Sequence, residues 1–431
     1  MSTFRQGGAI LTDHSFEVPL DHADPGGAQI EVFAREVVGV ERAAESTVDL
    51  LPWLVFLQGG PGRPSPRPNG RDGWLDRALR DYRVLLLDQR GTGRSTPANR
   101  LTLARHGSPQ AQARYLAHFR ADSIVADAEL IRRQLTGGRP WSVLGQSFGG
   151  FCTVSYLSLA PHGIAEAFIA GGLPGLTTTA EEVYQATYPL VAAKNLAHYE
   201  RYPEDAERVR QVARRLITSD VRLPSGAALT VEAFQTLGMH LGASTGSQFL
   251  HYLLEDAFAG DEIADDFRYR LDALLTFSGG PLYAALHEAC YAQGTATRWA
   301  AQRARADFGA FRAELALDGT DPVLFTGEMI YPWMFETDPV LRPLAEAAQI
   351  LAEHEGWPPL YDPALLSANE VPVAAAIYYD DMYVPQQISI RTAAQIRGLR
   401  RWVTSEYEHD GLRVSNGAVL DRLIAMVRAT G

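Results

Sequence analysis

Near its start the chain alternates apolar and polar positions. Phe16, Val18 and Leu20 form one series and Ile30, Val32 and Ala34 a second, with Asp24-Pro25-Gly26-Gly27 between them. Period-two alternation on both sides of a proline-glycine turn predicts a β-hairpin. Compact apolar runs without alternation follow. Trp53-Leu54-Val55-Phe56-Leu57 stops at Gln58-Gly59-Gly60-Pro61-Gly62, and Val84-Leu85-Leu86-Leu87 stops at Asp88-Gln89-Arg90-Gly91-Thr92-Gly93. Trp141-Ser142-Val143-Leu144 runs directly into Gly145-Gln146-Ser147-Phe148-Gly149-Gly150. Such runs suit strands of a parallel sheet covered on both faces. Between the second and third, Ile124, Ala128, Ile131 and Leu135 recur with helical period. They predict a helix over residues 122–136, capped by Asp122 and stopped by Gly137-Gly138. Cys152 to Ala160 suits a second helix ended by Pro161, and Ala167 to Ala170 a short strand.

From Leu176 to about Pro343 the strand signals fade and long amphipathic stretches take over, such as Glu181 to Tyr199 and Asp205 to Thr218. The sheet pattern returns at Val373 to Tyr378 and Trp402 to Thr404, and a closing helix carries Leu420, Ile424 and Val427 on one side. Strand, helix, strand alternation predicts an α/β fold with a mostly parallel sheet and helices on both faces. The expected organisation is a core in two parts, residues 1–175 and 345–431, interrupted by a mainly helical cap over 176–344.

Composition narrows the class. The chain has 431 residues with 46% hydrophobic and 21% charged, which is globular rather than disordered. Acidic residues outnumber basic ones 51 to 39, for a formal net charge of -12. That excess disfavours a nucleic-acid partner. It is also unevenly placed: residues 176–344 hold 23 acidic and 14 basic groups, against 28 and 25 elsewhere. Lys194 is the only lysine, which reads as a coding bias toward arginine. Two cysteines, Cys152 and Cys290, exclude a disulfide framework. The first fifteen residues lack the pattern of a signal peptide, and no stretch approaches 18 uninterrupted apolar residues. The expectation is a cytoplasmic protein with no membrane partner and a homo-oligomer allowed.

The chemistry centres on Gly145-Gln146-Ser147-Phe148-Gly149, a G-x-S-x-G sequence between a buried strand and a small-residue helix. A sharp strand-to-helix elbow lifts a nucleophilic hydroxyl above a sheet, and the glycines leave room for the turn. Ser147 then needs a histidine base and an orienting carboxylate downstream, in the order serine, acid, histidine. His409 is the only histidine after His354, while Asp380 and Asp381 both follow the strand ending near Tyr378. Oxyanion donors are expected from the backbone N–H of Phe148 and from the loop after the first buried strand, at Gly60. Arg90 and Arg94 read as braces of a glycine turn, and Cys152 as a buried residue without a catalytic role. No His, Asp and Glu group has metal-ligand spacing and no glycine loop fits a dinucleotide, so neither metal nor cofactor is expected.

The segments Gln58-Gly59-Gly60-Pro61-Gly62, Asp88-Gln89-Arg90-Gly91-Thr92-Gly93-Arg94-Ser95 and Gly145-Gln146-Ser147-Phe148-Gly149-Gly150 together resemble the proline iminopeptidases, also called prolyl aminopeptidases. These are α/β-hydrolase serine peptidases that remove an N-terminal proline. The motifs fall in the family's order, the helical insert sits where the family carries its cap, and the length resembles the larger-cap subgroup. Gln58 departs from the best-known form, which has histidine there. The resemblance implies an aspartate four residues before a proline, which selects Asp381, ahead of Pro385, over Asp380. It also implies cap glutamates for the substrate's terminal amine, with Glu328 and Glu336 as candidates on either side of an aromatic run. The implied substrates are peptides with a free N-terminus. A carboxylesterase or lipase-like hydrolase using the same triad is the alternative.

Overall fold

The computed structural model describes residues 2–43, 50–317, 319 and 321–429. Its main sheet has nine strands in the order β1-β2-β3-β5-β4-β6-β7-β10-β11. These are β1 (Ser2–Gln6), β2 (Ala9–Pro19), β3 (Gln29–Gly39), β4 (Trp53–Leu57), β5 (Arg83–Leu87), β6 (Trp141–Gln146), β7 (Ile164–Ala170), β10 (Val373–Tyr378) and β11 (Arg400–Thr404). The short β8 (Phe258–Ala259) and β9 (Glu262–Ile263) pair apart from it. From β5 to β11 every neighbouring pair is parallel. β1, β2 and β3 join antiparallel.

The predicted hairpin forms with Phe16 opposite Val32 and Val18 opposite Ile30, which sets the apolar series side by side on one face. The continuous apolar runs are strands buried on both faces. In β4, Val55 and Leu57 pack into one core cluster, while Leu54 and Phe56 pack into another. The first cluster is closed by the helices Ala121–Thr136 and Phe148–Leu159, the second by Gly73–Leu79 and Ala418–Arg428.

One sequence expectation needs correction. The helix expected to begin at Asp122 starts at Ala121, with Arg120 in the capping position and no side-chain cap. Asp122 sits in the first turn, where its charge still suits the helix dipole. Further helices, Arg100–Ala104 and Pro109–Ala117, lie between β5 and β6, and their Leu103, Tyr115 and Leu116 pack with the inserted lobe. The helix Ala345–Glu353 buries Ala347, Ala348 and Leu351 in the lobe's cluster, as does Trp357, and the chain rejoins the sheet core only at Leu360. Hydrophobic period alone does not say which lobe an amphipathic helix packs against.

Candidate active site

The elbow arises from crowding that only glycine relieves. β6 is buried throughout and ends at Gln146, and Ser147 follows with φ 55° and ψ −126°, a conformation L residues rarely adopt. The helix Phe148–Leu159 begins at once. A Cβ on Gly149 would overlap the carbonyl oxygen of Leu57, and one on Gly150 the backbone of Gly172. Ser147 is pinned from below, because its N–H donates to the Ala170 carbonyl at 3.0 Å. Cys152 lies fully buried in this helix, and burial pushes its thiol pKa up, so it stays a protonated core residue.

The loop after β4 comes back over the elbow. A Cβ on Gly59 would sit 2.8 Å from Ser147 Cβ, so main chain alone fits there. Gly60 has φ +141°, a glycine conformation, and Gly62 abuts Leu282 and Tyr283 of the inserted lobe. Phe148 is the first residue of its helix, so its N–H has no intrahelical acceptor. Gln58 contributes its carbonyl, which accepts from Gln89 Nε2 at 3.0 Å. The glycine turn after β5 is braced as expected. Arg90 donates to both carboxylate oxygens of Asp127 at 2.7 and 2.6 Å, and Arg94 to Asp13 at 2.7 Å.

At the far ends of β10 and β11 the structure brings Asp381 and His409 together. Nδ1 of His409 lies 2.7 Å from Asp381 Oδ2. The other oxygen, Oδ1, accepts from the main-chain N–H groups of Tyr383 and Val384 at 2.9 and 3.0 Å. Asp381 is buried, whereas neighbouring Asp380 is exposed. His409 adjoins the segment that pins Ser147, since a Cβ on Gly171 would lie 3.3 Å from its Nδ1. Burial alone would lower the pKa of this imidazole. The charge and hydrogen bond of Asp381, with the charge of Glu328, outweigh it and leave His409 above its ordinary 6.5.

The two candidate cap glutamates part company. Glu328 faces the site: Tyr283 donates its hydroxyl to Oε1 at 2.8 Å, and the carboxylate is close enough to act on His409, His287 and Tyr383. Burial holds the phenols of Tyr283 and Tyr383 well above their ordinary pKa, so both remain neutral donors. His287 is held below its ordinary value by burial and is neutral. Glu336, in contrast, is exposed on the short helix Met334–Thr337, with its main chain engaged by Trp333 and Arg342. Eight positions separate the two glutamates, with a turn at Tyr331–Met334 between them.

Sequence reasoning missed Tyr283 and Tyr383. Tyr383 stood inside the acid loop Asp381 to Pro385 and could have been noticed there; its ring meets His409 edge-on at 4.8 Å. It also missed one group that only folding assembles. Glu204, Asp205 and His251 offer ligand atoms within 4.8 Å of one another in the inserted lobe. Asp205 already accepts from Arg208 at 2.7 Å and contacts His251 Nδ1 at 3.0 Å, so its oxygens are engaged by protein donors.

Comparison with known proteins agrees with this architecture. A family model described as alpha/beta hydrolase fold matches residues 52–412. A proline iminopeptidase of Aeromonas sobria is 50% identical over 416 residues, covering 96% of each chain. The proline iminopeptidase aneH of Aspergillus aculeatus is 36% identical, over 97% of this chain and 94% of its own. A thermophilic esterase from Thermogutta terrifontis is a structural neighbour at 13% identity and TM-score 0.44, over 95% of this chain and 96% of that one. No helix among the described residues is long and apolar enough to cross a membrane.

Proposed function

The chain belongs to the proline iminopeptidases of the α/β-hydrolase fold, and on that premise we propose that it releases N-terminal proline from peptides through an acyl-enzyme on Ser147. His409 takes the proton from Ser147 Oγ as the oxygen attacks the first peptide carbonyl. Asp381, acceptor-only when ionised, keeps the proton on Nδ1 and leaves Nε2 free to work as base. The N–H groups of Phe148 and Gly60 receive the developing oxyanion. His409 then protonates the departing amine, and water, activated by the same imidazole, hydrolyses the ester.

The observation that carries an aminopeptidase over an esterase is Glu328. An esterase gains nothing from a carboxylate beside its base, whereas a peptide's terminal ammonium needs a charge partner. Glu328, oriented by the Tyr283 hydroxyl, supplies one. The inserted lobe then acts as a cap whose net negative charge draws in cationic termini. Two unpaired, buried cysteines support a reducing compartment, the cytoplasm.

A panel of amino-acid anilides with free and acetylated N-termini tests the reading. Free proline anilide should be cleaved and its acetylated form left untouched. Equal rates on both, or efficient cleavage of a nitrophenyl ester with no anilide turnover, would overturn it.

A further inference from the structure

Three consecutive residues of the loop that carries the histidine are each bonded to the inserted lobe. Glu408 accepts from Lys194 Nζ with both carboxylate oxygens, at 2.5 and 2.6 Å. The main-chain N–H of His409 donates to the Gly242 carbonyl at 3.2 Å. Asp410 accepts from Ser244, through its N–H at 3.1 Å and its hydroxyl at 2.6 Å. Lys194 comes from the long cap helix Ala180–Arg201, and Gly242 and Ser244 from the cap segment that follows Thr236. The ring has a cap contact at one remove. Tyr383, edge-on to His409, donates its hydroxyl to the Met239 carbonyl, and a Cβ on Gly242 would overlap the Tyr383 ring. Asp381 therefore locates the imidazole from the core side, and residues 194 and 239–244 locate its loop from the cap side.

The Lys194–Glu408 pair is the only one of these ties that joins two charges, and it is largely withdrawn from water. Its side chains are 16% and 29% exposed. Burial raises the Glu408 pKa against the pull of Lys194, which marks a carboxylate poorly served by solvent. Arginine fills every other basic position in the chain, 38 of the 39. At this one an ammonium sits on both oxygens of a single carboxylate, a contact that an arginine fork can also make.

We propose that Lys194 is a positioning residue for the reaction: through Glu408 it sets the register of the His409 loop on the cap, so that acylation of Ser147 requires a seated cap. This rests on the reading of His409 as the base. Loss of the tie leaves the Glu408 carboxylate without its Lys194 partner and frees the loop to shift. A displacement of the base by a fraction of an ångström acts on the chemical step and not on the amine contact at Glu328.

The test compares Lys194→Met, Lys194→Arg, Glu408→Gln and the Lys194→Met/Glu408→Gln double variant. Three readouts are needed: kcat and KM on proline anilide, the rate of inactivation by phenylmethylsulfonyl fluoride, and thermal melting. The sulfonyl fluoride reports the Ser147 and His409 pair without any amine recognition. Lys194→Met should lower kcat and the sulfonylation rate together by about tenfold, with KM within about twofold. Lys194→Arg should retain most of both rates, and the double variant should be no slower than the single one. Wild-type sulfonylation in folded Lys194→Met, or losses that add in the double variant, would overturn the proposal. If Lys194→Met does not fold, Glu408→Gln decides alone by the same criteria. His409→Ala, run alongside, separates the two readings. Activity in that variant would remove the triad itself, whereas an inactive His409→Ala beside normal Lys194→Met and Glu408→Gln would remove only the clamp.

Discussion

Asp381 grips His409 with one carboxylate oxygen, at 2.7 Å from Nδ1, while two main-chain N–H groups hold the other oxygen in place. An acid anchored in this way has no freedom to follow a moving ring, so it fixes both tautomer and orientation. Asp381→Asn keeps the shape but offers an amide to Nδ1 and favours the wrong tautomer. The expected loss in kcat on proline anilide is roughly 10⁴-fold, with melting temperature changed far less.

The same contact predicts the pH profile. His409 works unprotonated, and its pKa is raised above 6.5 despite burial, by Asp381 and then by Glu328. The acid limb of kcat/KM should therefore have its midpoint above pH 6.5. Glu328→Gln removes one of the two raising charges, so its acid limb should move toward lower pH while KM for proline anilide rises at least tenfold. Glu336→Gln should match the wild type in both respects. A limb that stays put in Glu328→Gln would separate that carboxylate from the base.

Glu288 predicts a pH-dependent stability. Burial drives its pKa up to about 7, although the N–H groups of Ala300 and Ala301 donate to it at 3.0 and 2.9 Å. A carboxyl whose folded pKa exceeds the ordinary 4.5 favours the fold when protonated. Its contribution is complete below pH 4.5 and is lost as pH rises through about 7, a difference on the order of 3 kcal/mol. Thermal melts at pH 5 and pH 8 should converge in Glu288→Gln relative to the wild type.

Arg90 serves as a buried hub. Besides Asp127 it donates to the carbonyls of Leu20 at 2.8 Å, His118 at 2.7 Å and Pro19 at 3.0 Å. Its side chain and that of Asp127 are 0% and 1% exposed. Asp127→Asn strands a buried guanidinium and should cost about 3–5 kcal/mol, read as a shift of the chemical-denaturation midpoint. Arg90→Lys should be nearly as severe, because one ammonium does not reach this set of acceptors.

Gly149→Ala tests the elbow itself. The new methyl would collide with the Leu57 carbonyl, which belongs to a central strand and has nowhere to go. The variant should lose about 4 kcal/mol or more and accumulate little soluble enzyme.

Some of this was legible in residue order because the causes are local. The strands β4, β5 and β6 are short apolar runs stopped by glycine, and burial on both faces leaves no other reading for them. Ser147 announced itself through glycines on both sides, since the elbow's steric demands fall within five residues. His409 was the only histidine left downstream. Between Asp380 and Asp381 the residues themselves were silent, and a resemblance was needed to choose. In the structure one of the pair is buried against His409 and the other points to solvent.

The sequence by itself determined the sheet, the elbow and the order of serine, acid and histidine, because short-range sterics and hydrophobic period write these into neighbouring residues. Tertiary structure alone decided that Glu328 takes the Tyr283 hydroxyl while Glu336 is exposed, and that the helix Ala345–Glu353 packs in the inserted lobe's cluster. It alone also set the single lysine on Glu408, 214 positions away along the chain. Those outcomes depend on how a long helix and a late loop pack across the core. Contacts of that range are set by the whole fold, and a charge on an exposed-looking helix face carries no local mark of its partner.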